Sequence, residues 1–263
     1  MEIKLTHKTA LVCGATAGIG KECALQMALA GASVLLLARD EAKLKKTLGE
    51  LSKTGDTQQH SYIVADLSKH NLLLNALENQ LGKNKTIHIL VNNTGGPPPG
   101  AIIEAGTDDF LKTFEQHLIC NQILTQYVIG GMKDAGFGRI INIISTSVKQ
   151  PIPNLGVSNT IRAAVASWAK TLSYEVGSYG ITVNNVLPGF TKTGRLDSLI
   201  EKMASQRNVS IDVIIKELAD GIPAKRFAEP AETAFAVMFL ASDYSGYING
   251  INLPVDGGRL SCL

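Results

Sequence analysis

Short apolar runs alternate with amphipathic stretches of helical period along nearly the whole chain. Strands are predicted at 9–12, 33–37, 61–65, 87–91, 139–144, 181–187 and 251–255. Most of these runs are apolar at successive positions, as in Ser33-Val34-Leu35-Leu36-Leu37 and Arg139-Ile140-Ile141-Asn142-Ile143-Ile144. A strand reads this way when both of its faces are covered, the condition of a parallel sheet between two helical layers. Helices are predicted near 18–30, 41–53, 69–82, 107–135, 157–177 and 230–242. The clearest follows Ser158, where Ile161, Ala164, Val165, Trp168, Leu172 and Val176 share one face. This alternation predicts an α/β fold: a doubly wound parallel sheet of about seven strands with helices on both faces.

Two segments interrupt the pattern. Gly95-Gly96-Pro97-Pro98-Pro99-Gly100 follows the fourth strand and cannot be regular structure. Its prolines fix φ and remove N–H donors, which predicts a stiff loop. Residues 194–226 form a long insertion with helical periodicity around 196–204 and 210–219. Read from the residues alone, it is a helical pair at the surface. No repeat, low-complexity tract or linker divides residues 1–263, and 263 residues suit one large α/β domain.

Composition narrows the function classes. The chain is 45% hydrophobic and 18% charged with a formal charge of +2, and its charges are dispersed. No basic stripe interleaved with aromatics marks a nucleic-acid surface. No apolar run approaches the ~18 residues that span a bilayer. Met1-Glu2-Ile3-Lys4-Leu5-Thr6 lacks the apolar region of a signal peptide. Cys13, Cys23, Cys120 and Cys262 are scattered, with no Cys-x-x-Cys. Reduced thiols in a cytoplasmic protein, with no metal site, are expected.

The candidate chemistry begins at Cys13-Gly14-Ala15-Thr16-Ala17-Gly18-Ile19-Gly20, between an apolar strand and an amphipathic helix. Glycines let a backbone turn tightly and approach phosphates, and the helix N-terminus then offers free N–H groups to an anion. Strand, glycine turn and helix in that order predict a dinucleotide site.

The Gly-x-x-x-Gly-x-Gly spacing resembles that of the short-chain dehydrogenase/reductase family, and of its β-ketoacyl reductases in particular. Asp66-Leu67-Ser68 resembles the family's adenine contact, and Asn92-Asn93-Thr94-Gly95 its Asn-Asn-Ala-Gly turn. Ser145 stands where its catalytic Ser would. Pro188-Gly189, Thr193 and Val255-Asp256-Gly257-Gly258 match its C-terminal half, so the likeness covers nearly all of residues 6–258. It implies a Rossmann-type sheet. It implies that Gly14, Thr16, Ala17, Gly18, Ile19, Gly20, Asp66, Leu67, Asn93, Thr94, Gly95, Pro188, Gly189 and Thr193 bind a nicotinamide dinucleotide. It further implies that 194–226 is a substrate lid, and that the helices near 107–135 and 157–177 build a homotetramer or homodimer. Trp168 beside Ala163, Ala166 and Ala169 suits such helix packing, and equally suits a Trp that only covers the sheet.

The end of the second strand selects the cofactor in such folds. An acid there accepts bonds from the ribose hydroxyls of NAD, whereas a base pairs with the 2′-phosphate of NADP. The acid position here is Ala38, and Arg39 follows. A guanidinium grips phosphate bidentately, so NADP is expected over NAD. The competing reading makes Asp40 the selector and leaves Arg39 in solvent.

The active site departs from the family. Ordinary members carry Tyr thirteen residues after the Ser and Lys four residues after the Tyr. Those positions hold Ser158 and Arg162, so Tyr-x-x-x-Lys is replaced by Ser158-Asn159-Thr160-Ile161-Arg162. The family's Asn position holds His117, with Asn121 one turn on. A serine hydroxyl is a far weaker acid than a phenol, and Arg does not give up its proton. Ser145 can still hold a carbonyl oxygen, and Arg162 can still donate to a ribose. His117 is the candidate proton donor, because imidazole titrates near neutrality, and equally reads as a structural helix histidine bonded to backbone; Lys149, water or a substrate group are the other donors. The reading is an oxidoreductase moving a hydride between NADP(H) and a small carbonyl or alcohol. The alternative is a dinucleotide-binding protein without turnover.

Overall fold

A computed structural model describes residues 2–81 and 86–262. The strands are β1 (Thr9–Cys13), β2 (Ser33–Ala38), β3 (Ser61–Val64), β4 (Ile89–Asn92), β5 (Gly138–Ile143), β6 (Ile181–Pro188) and β7 (Asn252–Val255). They form one seven-stranded sheet in the order β3-β2-β1-β4-β5-β6-β7. Every pairing is parallel. Between the strands lie α1 (Gly18–Leu29), α2 (Glu41–Glu50), α3 (His70–Leu81), α4 (Thr107–Phe114), α5 (Cys120–Asp134), α6 (Gly156–Val176), α7 (Gly194–Arg207), α8 (Ile211–Asp220) and α9 (Pro230–Ala241). Each predicted strand is present within one or two residues, the usual uncertainty of element ends. Residue 82, the expected end of the third helix, lies outside the described residues.

The continuously apolar strands divide between two cores, because successive side chains point to opposite faces. Ala10, Val12, Val34 and Leu36 pack with α1, α2 and α9 residues such as Met27, Leu44 and Val237. Leu11, Cys13, Leu35 and Leu37 pack on the other face with Leu73, Leu124 and Ala169 from α3, α5 and α6. Cys13, Cys23 and Cys120 are buried free thiols. Burial pushes Cys13 and Cys120 up to about 12, so neither is a thiolate at neutral pH.

Polar residues inside this apolar sheet form a ladder. Asn92, Asn142, Asn185 and Asn252 stand opposite one another on β4 to β7. Each Nδ2 donates to the next Oδ1 at 2.8 Å, from Asn92 to Asn142, to Asn185, to Asn252. A buried amide left without its partner costs about 1–3 kcal/mol, so the ladder ties the register of four strands.

The stretch predicted as one helix over 107–135 is interrupted. A π-helical turn at Glu115–Ile119 joins α4 to α5. Such turns insert a residue into the helix and concentrate at functional positions, and this one carries His117. The insertion at 194–226 contains α7 and α8, matching the predicted periodicity, and its Leu196, Ile200, Ala204, Ile214 and Ile222 form an apolar cluster with Phe227 just beyond it.

Candidate active site

The sheet order reverses between β1 and β4, so their connections leave in opposite directions and open a crevice at the carboxyl ends of the strands. The glycine turn, Arg39, Asp66-Leu67, Asn93-Thr94-Gly95, Ser145 and Pro188-Gly189 all follow strands at that edge. In the glycine turn, Gly14 and Gly18 have positive φ of 60° and 53°. A Cβ on Gly14 would lie 2.7 Å from Asn93, and one on Gly20 would lie 2.4 Å from the Gly14 carbonyl. Asn93 in turn donates to the Cys13 carbonyl at 3.3 Å. The helix that follows has no side-chain cap at Ala17 and no acid in its first turn. Its first N–H groups and partial positive charge therefore remain available to an anion, and the turn fits a pyrophosphate.

A second group lies toward the sheet edge. Arg39 is exposed after β2, and its charge acts on the Asp66 carboxyl. Burial works to raise that carboxyl, but bonds from the Ser68 amide and hydroxyl, with Arg39 and Lys69, hold it below the usual range. Asp40 is used elsewhere: its carboxylate caps α2 by accepting from the Lys43 amide at 3.0 Å. Leu67 is buried, and its carbonyl accepts from the Cys120 thiol.

The reaction end is a cleft of about 500 Å³. Its wall brings together Ile19, Asn93, Thr94, Ser145, Ser158, Arg162, Pro188, Gly189 and Thr193 from the sequence reading. Ser145 follows β5 by two residues, and its Oγ accepts from the Ser147 amide at 3.1 Å. That bond orients the hydroxyl while leaving its proton to donate. Ser158 and Arg162 stand one turn apart near the start of α6, as a spacing of four dictates. Arg162 is only 8% exposed. Its Nη1 donates to the Ile143 and Ile144 carbonyls at 3.2 and 2.8 Å. Burial, and then the charge of Arg195, push its guanidinium down to about 10, so it stays charged at neutral pH.

His117 does not line the cleft. It is buried behind Thr94, with Nδ1 2.6 Å from the Thr94 hydroxyl. Burial, then the charges of Arg162 and Arg195, lower its pKa from 6.5 to about 3 against a raising bond with the Gly95 backbone. The expected imidazole titrating near neutrality is thus replaced by a neutral ring that supports Thr94. Two consequences follow from the sign of this shift. An activity profile carries no His117 inflection near neutrality. Stability contributed by the neutral ring is full above about 6.5 and is lost as pH falls toward about 3, because the unfolded chain takes up the proton first. The slope approaches about 1.4 kcal/mol per pH unit. His117→Gln should flatten this part of the curve, read from urea unfolding at pH 7.5 and 5.5. Equal slopes in both proteins would show that folding leaves the imidazole unperturbed.

Lys149 also lies outside the cleft wall. Two features of the site, the cluster of further cations and the bridge Arg195 makes, were not read from the sequence, whereas the proline-rich loop was expected to shape the pocket. Arg195, Lys202 and Arg259 line the cleft beside Arg162. Arg195 reaches from α7 to the Gly96 and Pro97 carbonyls at 2.7 and 3.2 Å, joining the insertion to the proline-rich loop. Gly96, Pro97, Pro98 and Pro99 form one side of the cleft. Arg259 directly follows Gly258 and Arg195 stands two residues after Thr193, the only sequence signal either carries. No group of three potential metal ligands occurs among the described residues. None of their helices is long and apolar enough to cross a membrane.

A parallel sheet with a glycine turn at its switch point and a Ser-bearing cleft beside it defines a Rossmann-type dinucleotide-binding protein. The chain matches the family described as enoyl-(acyl carrier protein) reductase over residues 14–259. It is 36% identical to the 3-oxoacyl-[acyl-carrier-protein] reductase FabG of Rickettsia prowazekii (strain Madrid E), covering 98% of this chain and 99% of that one. It is 28% identical to the NADPH-dependent reductase BacG of Bacillus subtilis (strain 168), covering 98% and 100%. L-sorbose reductase from Gluconobacter frateurii, solved with NADPH and L-sorbose, superposes with a TM-score of 0.91 at 28% identity, covering both chains fully. The protein belongs to the short-chain dehydrogenase/reductase family and is ketoacyl-reductase-like.

Proposed function

We propose that the protein is an NADP(H)-dependent reductase of a small carbonyl compound, with oxidation of the corresponding alcohol as the reverse reaction. The observation that carries this reading is the convergence of Ser145, Ser158, Arg162 and Thr94 with Pro188-Gly189 on one cleft. NADPH-dependent relatives and the free Arg39 at the second strand support NADP over NAD. Bound there, the nicotinamide supplies the hydride. The chain's own residues do the rest. Gly14 to Gly20 hold the pyrophosphate, Arg39 the 2′-phosphate, Asp66-Leu67 the adenine, and Asn93, Thr94, Gly95 and Thr193 the nicotinamide half. Ser145 donates to the carbonyl oxygen as negative charge grows on it, and Arg162 adds a fixed positive charge in a partly dry site. The proton for that oxygen comes from water entering the cleft, passed along the cleft hydroxyls, with His117 holding the Thr94 hydroxyl in place. The insertion at 194–226 covers the substrate.

Serine in place of a phenol at 158 favours one second reading, cofactor binding without turnover. NADPH oxidation followed at 340 nm against a panel of ketones, keto acids and aldehydes separates the two. Consumption with any member, absent in Ser145→Ala, supports the reductase; tight NADPH binding with no consumption supports the second reading. We also propose a homodimer or homotetramer through α5 and α6. Trp168 bonds from α6 to Gln122 of α5 at 2.8 Å and Ala163 is exposed on α6, whereas Ala166 and Ala169 are buried within the subunit. A sedimenting monomer at micromolar concentration would exclude it.

A further inference from the structure

The charge of the cleft is one-sided. Arg162, Arg195, Lys202 and Arg259 line it, and no Asp or Glu does among the described residues. None of the four cations forms an ion pair there. Arg162 is deeply buried and is met only by backbone carbonyls. Arg195 is likewise bonded only to carbonyls. Arg259 sits over the Phe190 ring, with its guanidinium carbon 4.7 Å from the centroid. Two arginines elsewhere are matched by carboxylates, Arg207 by Glu217 and Arg226 by Glu232, each through two nitrogens, and buried Arg139 is answered by three carbonyls; among the described residues only the cleft gathers several unpaired cations in one place. Burying an unpaired cation is costly, and placing two within reach of each other's field costs more. An anion bound among them would offset that cost.

We infer that the cleft takes a carbonyl compound bearing its own carboxylate, seated against the positive wall of Arg162, Arg195 and Arg259 with Lys202 at its rim. This rests on the reductase reading and names its substrate class. A guanidinium holds a carboxylate through paired N–H donors, which fixes orientation as well as charge. The apolar remainder of the wall, Ile144, Ile152, Leu155, Pro98 and Leu199, suits the carbon skeleton of a keto acid. The cofactor's phosphates are the other anions that could answer these cations, so the test is made with the cofactor already in place.

With protein saturated in NADP⁺, oxalate should raise Tm where neutral, isosteric oxamide does not. In turnover, phenylpyruvate and acetoacetate should be reduced with kcat/KM at least about tenfold above their methyl and ethyl esters, the worth of one charge-assisted hydrogen-bonded pair. Arg259→Gln should narrow that acid-to-ester ratio. Lys202→Gln, on an exposed helix position, should narrow it less and serves where Arg259→Gln fails to fold. Esters reduced as well as the acids would overturn the inference and leave the reductase reading intact. Oxalate stabilising only the cofactor-free protein would also overturn it, assigning the cations to the cofactor. If no carbonyl compound consumes NADPH while oxalate still stabilises the NADP⁺-loaded protein selectively, the anion site stands and the reductase reading falls.

Discussion

Ser145→Ala should lower kcat for carbonyl reduction by about 10²–10³-fold while NADPH still binds. A donor aimed at the oxygen where charge develops contributes more in the transition state than in the ground state, and losing one has an effect of that order. Ser145 sits just beyond β5, and its oxygen is already fixed by the Ser147 amide. The hydroxyl therefore has its proton to give and no freedom to wander. Removing it also releases a turn, a loss of about 1 kcal/mol that leaves the fold intact. Arg162→Met should be worse for the protein as a whole, because the Ile143 and Ile144 carbonyls lose their donor inside the structure. Arg162→Lys should restore part of the rate, since it returns a cation without the planar fork. Single-turnover rates with NADPH, alongside Tm, read both effects. Wild-type turnover in Ser145→Ala would move the oxygen site elsewhere in the cleft.

Arg39→Ala should weaken NADPH binding roughly tenfold to hundredfold and NADH binding little, the worth of a charge-assisted pair with the 2′-phosphate. Arg39 is exposed, has no carboxylate within ion-pair distance among the described residues, and is close enough for its charge to act on Asp66. Asp40, the competing selector, is engaged with the Lys43 amide and ammonium at the start of α2. Asp40→Ala should therefore affect helix stability and leave the preference between the two cofactors unaltered. Titrating both cofactors against both variants by fluorescence decides the matter. Equal losses of NADPH and NADH in Arg39→Ala would remove Arg39 from the 2′-phosphate site.

Local regularities were legible along the chain. Continuous apolar runs specify strands covered on both faces, and the alternation with helices specifies the winding of the sheet, because each depends on nearest neighbours in sequence and on burial alone. The glycine turn is legible for a similar reason: positive φ and close backbone approach exclude other residues at Gly14 and Gly20. The spacing of four that sets Ser158 above Arg162 is a property of the helix itself. What the chain order does not contain is distance between segments. That His117 stands behind Thr94, buried and neutral, depends on a π turn meeting the end of β4. The pKa of an imidazole is set by the solvent and charges around it, which no neighbour in sequence supplies. The four-strand asparagine ladder needs a register that only pairing decides. Arg195, Lys202 and Arg259 look like ordinary surface charges when read in order, since 64 residues separate the outer two. Folding places them around one cleft with Arg162 and without a carboxylate, and it is that three-dimensional imbalance of charge which bears on the substrate.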